Sequence, residues 1–463
     1  MTMSSSLFSP PALQAMRQFY NSGVTKDHAF RKQQLLTLKK IIIQYEQEIY
    51  KALYTDLKRS KEETYATENG LLLAEINTAL KNLHKWMCPR RTATNLVNLP
   101  SSSVIHYEPL GVVFIIAPWN YPLQLLLVPL AGAIAAGNCA VLKPSELAPA
   151  TAEIIDKIVT EAFAPEYVKV IQGEGAEVVP QMISSFRFDH IFYTGSIPVG
   201  RSIYQMAAQE LVPVTLELGG KSPAIIEADA DINTSARRIV LGKFVNAGQT
   251  CIAPDYVLVH QHVYEKFIAA LKHTLRQFYG SDPRQSDDYG RIINERRFNT
   301  LVQYLEEGDI VTGGETDREE LYIAPTVLTN IIPDAAIMQE EIFGPILPIL
   351  PFSNAEEALA VINKNPDPLS LYVFTSDRSK EAFWIRNIRF GSGCINNAVW
   401  QFANHHIPFG GIGNSGKGAY HGKHSFLTFS HAKPVMKTPV WFDPSIKYPP
   451  FGRKMKWFKR LIR

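Results

Sequence analysis

Four short apolar runs between residues 111 and 195 constrain this chain more than any other feature: "VVFIIAP", "NCAVLKPS", "YVKVIQG" and "FDHIFYTG". Segments of helical composition separate them. An apolar run without polar alternation is the pattern of a strand buried on both faces. Strand, helix, strand in repetition predicts a parallel sheet with helices on both sides. Such sheets bind ligands beyond the carboxyl ends of their strands. This chain places "PWN", "KPSE" and "TGS" at those ends.

Upstream, Leu35, Leu38, Ile42, Tyr45, Ile49 and Leu53 keep close to a helical period, which predicts helix over 10–55, with a second helical segment over 62–87. "SSSVIHYEPLG" reads as a strand ending at Gly111. After residue 211, "PVTLEL", "SPAIIEA" and "DYVLVH" alternate with helices at about 231–246 and 262–277. A second α/β domain is therefore expected from 214. A chain of 463 residues has room for two or three domains. It shows no internal repeat and no low-complexity segment.

Composition excludes several classes. Hydrophobic residues make up 46% and charged residues 20%, an ordinary globular balance. The net charge of +3 is too small to imply a nucleic-acid partner. The charge is uneven, however: residues 447–463 carry seven basic side chains and no acid, so the remaining body is mildly acidic. Cys88, Cys139, Cys251 and Cys394 are far apart and form no CxxC, which suggests neither zinc nor a disulfide framework and fits a reducing cytoplasm. The start of the chain lacks the pattern of a signal peptide. The longest apolar stretch, Leu123 to Ala136, is too short to span a bilayer and reads as a buried helix.

Chemistry concentrates in five stretches. "NAGQTCIAPD", Asn246 to Asp255, sets Cys251 among small and polar residues, which suits a nucleophile at a loop but leaves core filler open. "YTGSIPVG", Tyr193 to Gly200, runs from a strand through Gly195 and Ser196 into a helix; its free N–H groups suit a phosphate, and an ordinary turn has the same look. "VLKPSE" places Lys143 and Glu146 where they can bond ribose hydroxyls, or Lys143 can be solvated beside a cap at Ser145. "PWNYP" offers Asn120 as a non-ionising donor for an oxyanion, or as a structural turn residue. "LELGGKSP" gives Glu217 in apolar surroundings, either a general base or the partner of Lys221. His260 with His262 and His421 with His424 lack a third ligand in sequence, so no metal site is expected.

In their order these stretches, with "EEIFGP" (Glu340 to Pro345) and "PFGGIGNSG" (Pro408 to Gly416), resemble the aldehyde dehydrogenase superfamily over about 118–416. "PFGGIGNSGKGAYHGKHSF" resembles its class 3 branch, which includes enzymes for fatty and aromatic aldehydes. The resemblance implies an α/β fold: a Rossmann-like parallel-sheet cofactor domain (1–84 and 105–213), a second α/β catalytic domain (214–394), bridging or oligomerisation segments (85–104 and 395–440) and a basic tail (441–463). It implies NAD or NADP as cofactor, an aldehyde substrate and a homodimer. By the same resemblance Cys251 is the nucleophile, Glu217 activates water, and Asn120 with the Cys251 N–H forms the oxyanion hole. Lys143 and Glu146 hold the adenosine ribose, and Gly195, Ser196 and Gly200 belong to the pyrophosphate turn. Glu341 and Phe343 lie by the nicotinamide riboside, and Tyr121 lines the substrate funnel. Ile197 departs from the polar or small residue of many relatives, which puts detailed phosphate contacts in doubt. Relatives that pass the thioester to coenzyme A are a second reading, against which the retained Glu217 argues. A thiol hydrolase without redox chemistry and a structural relative are others. No basic residue adjoins Cys251 in sequence to activate it.

The tail "RKMKWFKRLIR" gathers Met455, Trp457, Phe458, Leu461 and Ile462 on one helical arc and most basic residues on the other, with Lys454 intruding. That is the pattern of a peripheral membrane-surface helix, or of a short frayed tail.

Overall fold

The structure is a computed structural model that describes residues 10–332 and 334–461. Two sheets dominate it. The first has six strands in the order Gly416–Lys417, Val214–Leu218, His190–Gly195, Val112–Ile116, Cys139–Lys143 and Val168–Val170. All but the two-residue edge strand run parallel. The chain works outward from Val112–Ile116 to Val168–Val170, then returns to the other side at His190–Gly195. The switch point therefore lies between the loop after Ile116 and the turn after Gly195, where a crevice for a ligand forms. Register aligns those ends: Ile116 pairs with both Lys143 and Tyr193.

The helices cover this sheet as the apolar pattern demands. Gln124–Ala136 is buried along its whole length, as the Leu123 to Ala136 stretch predicts. The expected helix over 10–55 is instead three: Pro10–Asn21, His28–Gln44 and Glu46–Leu57. Gly23, at φ 82°, breaks the first, and Asp27 accepts from Phe30 N to start the second.

The second sheet has seven strands, ordered Asp309–Thr312, Thr326–Thr329, Ile346–Phe352, Tyr256–His260, Pro223–Ile226, Ser370–Phe374 and Ser392–Ile395. Only the Asp309–Thr312 edge is antiparallel. One expected boundary moves. Val214–Leu218 belongs to the first sheet, because its five buried residues pair with His190–Gly195, Thr194 opposite Glu217. The crossing between sheets falls at Gly219-Gly220, not before 214. Gly416–Lys417, inside the expected bridging segment, also joins the first sheet, with Gly416 opposite Glu217. A third, antiparallel sheet joins Arg90–Thr92, Ser102–Pro109 and Ser430–Lys437, so residues 105–109 leave the first sheet as well.

Beyond Lys437 the chain runs exposed: Val440 is 97% and Trp441 77% accessible. A helix forms at Met455–Leu461; Ile462 lies outside the described residues. Met455 and Trp457 are exposed, and Phe458 packs on Phe451 at 5.8 Å between ring centroids. Lys454 does not intrude on the apolar arc. It precedes the helix and donates to the carbonyls of Ser445 and Tyr448. No helix among the described residues is long and apolar enough to cross a membrane.

Candidate active site

Cys251 sits in the loop that leads into the second sheet at Tyr256–His260. Its approach is tightly wound. Asn246 and Ala247 take left-handed angles (φ 53° and 51°), and a Cβ on Gly248 would lie 2.2 Å from the Gly344 carbonyl. The cysteine loop thus packs backbone to backbone on the Glu341–Phe343 loop, which only glycine allows. Gln249 stitches the turn, donating to the carbonyls of Asn246 and Arg291 and accepting from Ile293 N.

The thiol is not core filler. It opens on a mostly apolar cavity of about 630 Å³ whose walls include Tyr121, Leu125, Thr250, Phe278, Trp400 and Phe402. Tyr121 lines it with its hydroxyl 2.7 Å from Thr250 Oγ1. Burial first, then the charges of Glu341 and Glu217, push the thiol pKa up, while the backbone N–H groups of Cys251 and Ile252 pull it down. The thiol is therefore neutral in the free chain, and the proton it must lose needs an acceptor.

Asn120 is 2% exposed in the "PWNYP" loop. Its Nδ2 donates to Gln249 O at 3.0 Å, next to Cys251, and its Oδ1 has no partner. Glu217, 3% exposed, has neither oxygen bonded, and burial alone raises its pKa well above the ordinary carboxylate range. It does not pair with Lys221. That lysine binds Asp255 and the carbonyls of Ile337 and Glu340. Tyr420, which the sequence does not single out, is buried with an unbonded hydroxyl and feels both Glu217 and Cys251.

Lys143 ends its strand buried, not solvated: Nζ donates to Glu146 Oε2 at 2.8 Å and to Pro144 O at 2.7 Å. Burial pushes the Glu146 carboxyl up, but its bonds from Lys143 and from backbone N–H groups outweigh this and lower it. Across the switch point, Ser196 is the N-cap of the helix Ile197–Gln209 and makes no side-chain cap bond. A Cβ on Gly195 would lie 2.3 Å from the Tyr193 hydroxyl, and one on Gly200 2.5 Å from Leu218 Cδ2. Glu341 leaves Oε1 unbonded; burial, then Asp255, raises it to about 8. Phe343, at φ 47°, packs edge-on against Trp119 at 5.4 Å. A buried lysine paired with a half-buried carboxylate, a helix start without a side-chain cap and an orphaned carboxyl oxygen fit the ribose, phosphate and riboside of a dinucleotide. His421 Nδ1 meets Glu75 Oε1 at 2.7 Å, a partner the sequence hides. Among the described residues no cluster could ligate an ion.

A thiol on an apolar cavity, together with strand-end residues that fit a dinucleotide, is the arrangement of a thiol-dependent dehydrogenase. The chain belongs to the aldehyde dehydrogenase family, which it matches over residues 11–435. It is 47% identical over 449 residues to the 4,4'-diaponeurosporen-aldehyde dehydrogenase of Staphylococcus aureus, covering 96% of this chain and 97% of that one. It is 43% identical over 450 residues to aldehyde dehydrogenase family 3 member A2 of Macaca fascicularis (96% and 92% covered). A canine relative named "Aldehyde dehydrogenase, dimeric NADP-preferring" is 41% identical over 445 residues (96% and 98%). A substrate-bound structure of Staphylococcus aureus AldH superposes with a TM-score of 0.95 at 47% identity (98% and 99%). The NAD+ complex of a Bacillus cereus aldehyde dehydrogenase gives 0.82 at 27% (92% and 88%). The chain is thus an NAD(P)-dependent aldehyde dehydrogenase that is similar to class 3 relatives.

Proposed function

We propose that this enzyme oxidises apolar aldehydes, medium- to long-chain aliphatic or aromatic, to carboxylic acids through a thioester on Cys251. The observation that carries the substrate class is the apolar cavity of about 630 Å³ ending at that thiol, a size suited to burying a long hydrophobic ligand. The Cys251 sulfur attacks the carbonyl carbon and forms a hemithioacetal. Its proton leaves toward Glu341, the carboxyl that affects the thiol most and that burial raises to about 8, and passes from there to solvent. Asn120 Nδ2 and the Cys251 N–H stabilise the oxyanion. A hydride then leaves the hemithioacetal carbon, which becomes a thioester; NAD(P), held by Lys143, Glu146 and the turn at Gly195 and Ser196, would supply the acceptor. Glu217 then takes a proton from water, whose oxygen attacks the thioester; the acid leaves and the thiol is restored.

The first sheet serves as the cofactor domain and the second as the catalytic domain. Lys143 and Glu146 hold the adenosine ribose, Gly195, Ser196 and Gly200 shape the pyrophosphate turn, and Glu341 and Phe343 flank the nicotinamide riboside. Glu146 favours a ribose hydroxyl over a phosphate, which points to NAD, with NADP accommodated through Lys143. A homodimer is supported by the exposed strand Ser430–Lys437, which pairs with Ser102–Pro109 on one side and with no strand of the described residues on its outer side, an edge open to a second chain. A cytoplasmic setting agrees with four free cysteines. Peripheral membrane contact is supported by Trp441, Met455 and Trp457 exposed among basic side chains. The test is a panel of C2 to C16 aliphatic and aromatic aldehydes with both cofactors, followed at the NADH absorbance. Equal kcat/KM for acetaldehyde and the long-chain substrates would refute the substrate class.

A further inference from the structure

Arg59 is 1% exposed, yet it belongs to none of the stretches that carry the chemistry. It lies in a tight corner: Lys58, at φ 54°, ends the helix Glu46–Leu57, and Ser60 caps the next by accepting from Glu63 N. The corner drives the guanidinium inward, where its two ends take different partners. Nη1 donates to Glu68 Oε1 at 2.7 Å. Nη2 donates to Asn120 O at 2.5 Å and to Asn246 Oδ1 at 3.0 Å. Glu68 Oε2 in turn accepts from Gln124 N at 2.8 Å. The Arg59–Glu68 pair therefore grips both ends of residues 120–124, with the Tyr121 ring 4.7 Å from the guanidinium between them. Asn246 closes the circuit on the cysteine side, donating from Nδ2 to Asn120 O at 2.9 Å and to Gln249 O at 3.2 Å.

We propose that Arg59 is a positioning residue that fixes the Asn120 amide against the Cys251 loop, and so sets the oxyanion geometry. It acts through Asn120 and does not itself line the cavity, whose wall it meets at the Tyr121 ring. The physical reason is the planar fork: one rigid cation satisfies a carboxylate, a carbonyl and an amide oxygen from three segments at once. The inference rests on the reading of Asn120 as the oxyanion donor.

The test is single-turnover NADH formation in the full-length enzyme. Arg59→Met combined with Glu68→Gln removes the clamp and its bonded carboxylate; Glu63, 3.7 Å from Arg59 Nε and already raised to about 7 by burial, takes up a proton in place of the lost cation. The expected result is an unchanged cofactor Kd by fluorescence quenching and a single-turnover rate lower by roughly 10²-fold, the scale of a misplaced reacting group. Arg59→Lys keeps the charge but not the fork, and is expected to fall between, about 10-fold below the parent. Adding Asn120→Ala to either variant should slow it no further than Asn120→Ala alone, because both act on one donor. Multiplying effects would overturn the proposal, as would a parent-like rate in Arg59→Lys if the neutral pair does not fold. If Asn120→Ala itself turns over at the parent rate, the oxyanion reading fails. If Asn120→Ala is slow while the neutral pair is not, only the role of Arg59 fails.

Discussion

Replacing Glu217 by glutamine separates two consequences of one buried carboxyl. The group has no hydrogen-bond partner and is 3% exposed, and burial alone raises its pKa. In the unfolded chain it titrates near its ordinary value of about 4.3. Above that pH the folded chain holds one more proton than the unfolded chain. Stability from this group is therefore complete below the unfolded pKa and declines as pH rises toward the folded one. The slope is about 1.4 kcal/mol per pH unit while the folded carboxyl stays protonated. Glu217→Gln cannot titrate, so its stability relative to the parent should rise by about 1.4 kcal/mol between pH 5 and pH 6. Urea unfolding at fixed protein concentration measures this, concentration being held because an oligomer's stability depends on it. The same variant should retain the first burst of NADH and lose steady-state turnover by roughly 10²–10⁴-fold, since only the hydrolytic step needs the base. Parallel pH–stability curves would refute the claim that Glu217 is buried in its neutral form. An unchanged steady state would refute its role as base. Because the base must ionise to act, deacylation in the parent should quicken as pH rises above neutral.

Cys251→Ala should abolish NAD(P)-dependent oxidation while circular dichroism and cofactor quenching stay at parent values; residual normal turnover would sink the thioester route. Ala66 lines the cavity, so Ala66→Phe should raise KM for hexadecanal by roughly 10-fold and change that for propionaldehyde little, measured by initial rates. Lys143→Met removes a charged donor beside Glu146 and should weaken cofactor binding by roughly 10- to 100-fold with little change in kcat at saturation. Truncation after residue 440 should reduce co-sedimentation with anionic liposomes, and unchanged partitioning rules out the tail as a membrane contact.

The apolar runs at Val112–Ile116 and Cys139–Lys143 are legible because a strand buried on both faces admits no polar alternation. The same signal cannot say which sheet a strand joins. "PVTLEL" and "SPAIIEA" look alike in sequence, yet Val214–Leu218 closes the first sheet while Pro223–Ile226 lies within the second. Pairing is a property of two strands, and one strand's composition holds half of it.

The same division runs through the site. Cys251 stands out because small polar neighbours surround a residue type usually buried among apolar ones, and Glu217 because a carboxylate interrupts an apolar strand. By itself the sequence singled out the candidate reactive groups and the loops that carry them. Tertiary structure decided their partners: Lys221 to Asp255 rather than Glu217, His421 to Glu75, and Arg59 to Asn120 and Asn246. It also decided that the thiol is neutral in the free chain, because burial and two carboxylates from distant strands and loops outweigh its own backbone N–H groups. Hydrogen bonds and charge interactions act over a few ångströms of space, and residues such as Glu75 and His421, 346 positions apart, share that space only after folding.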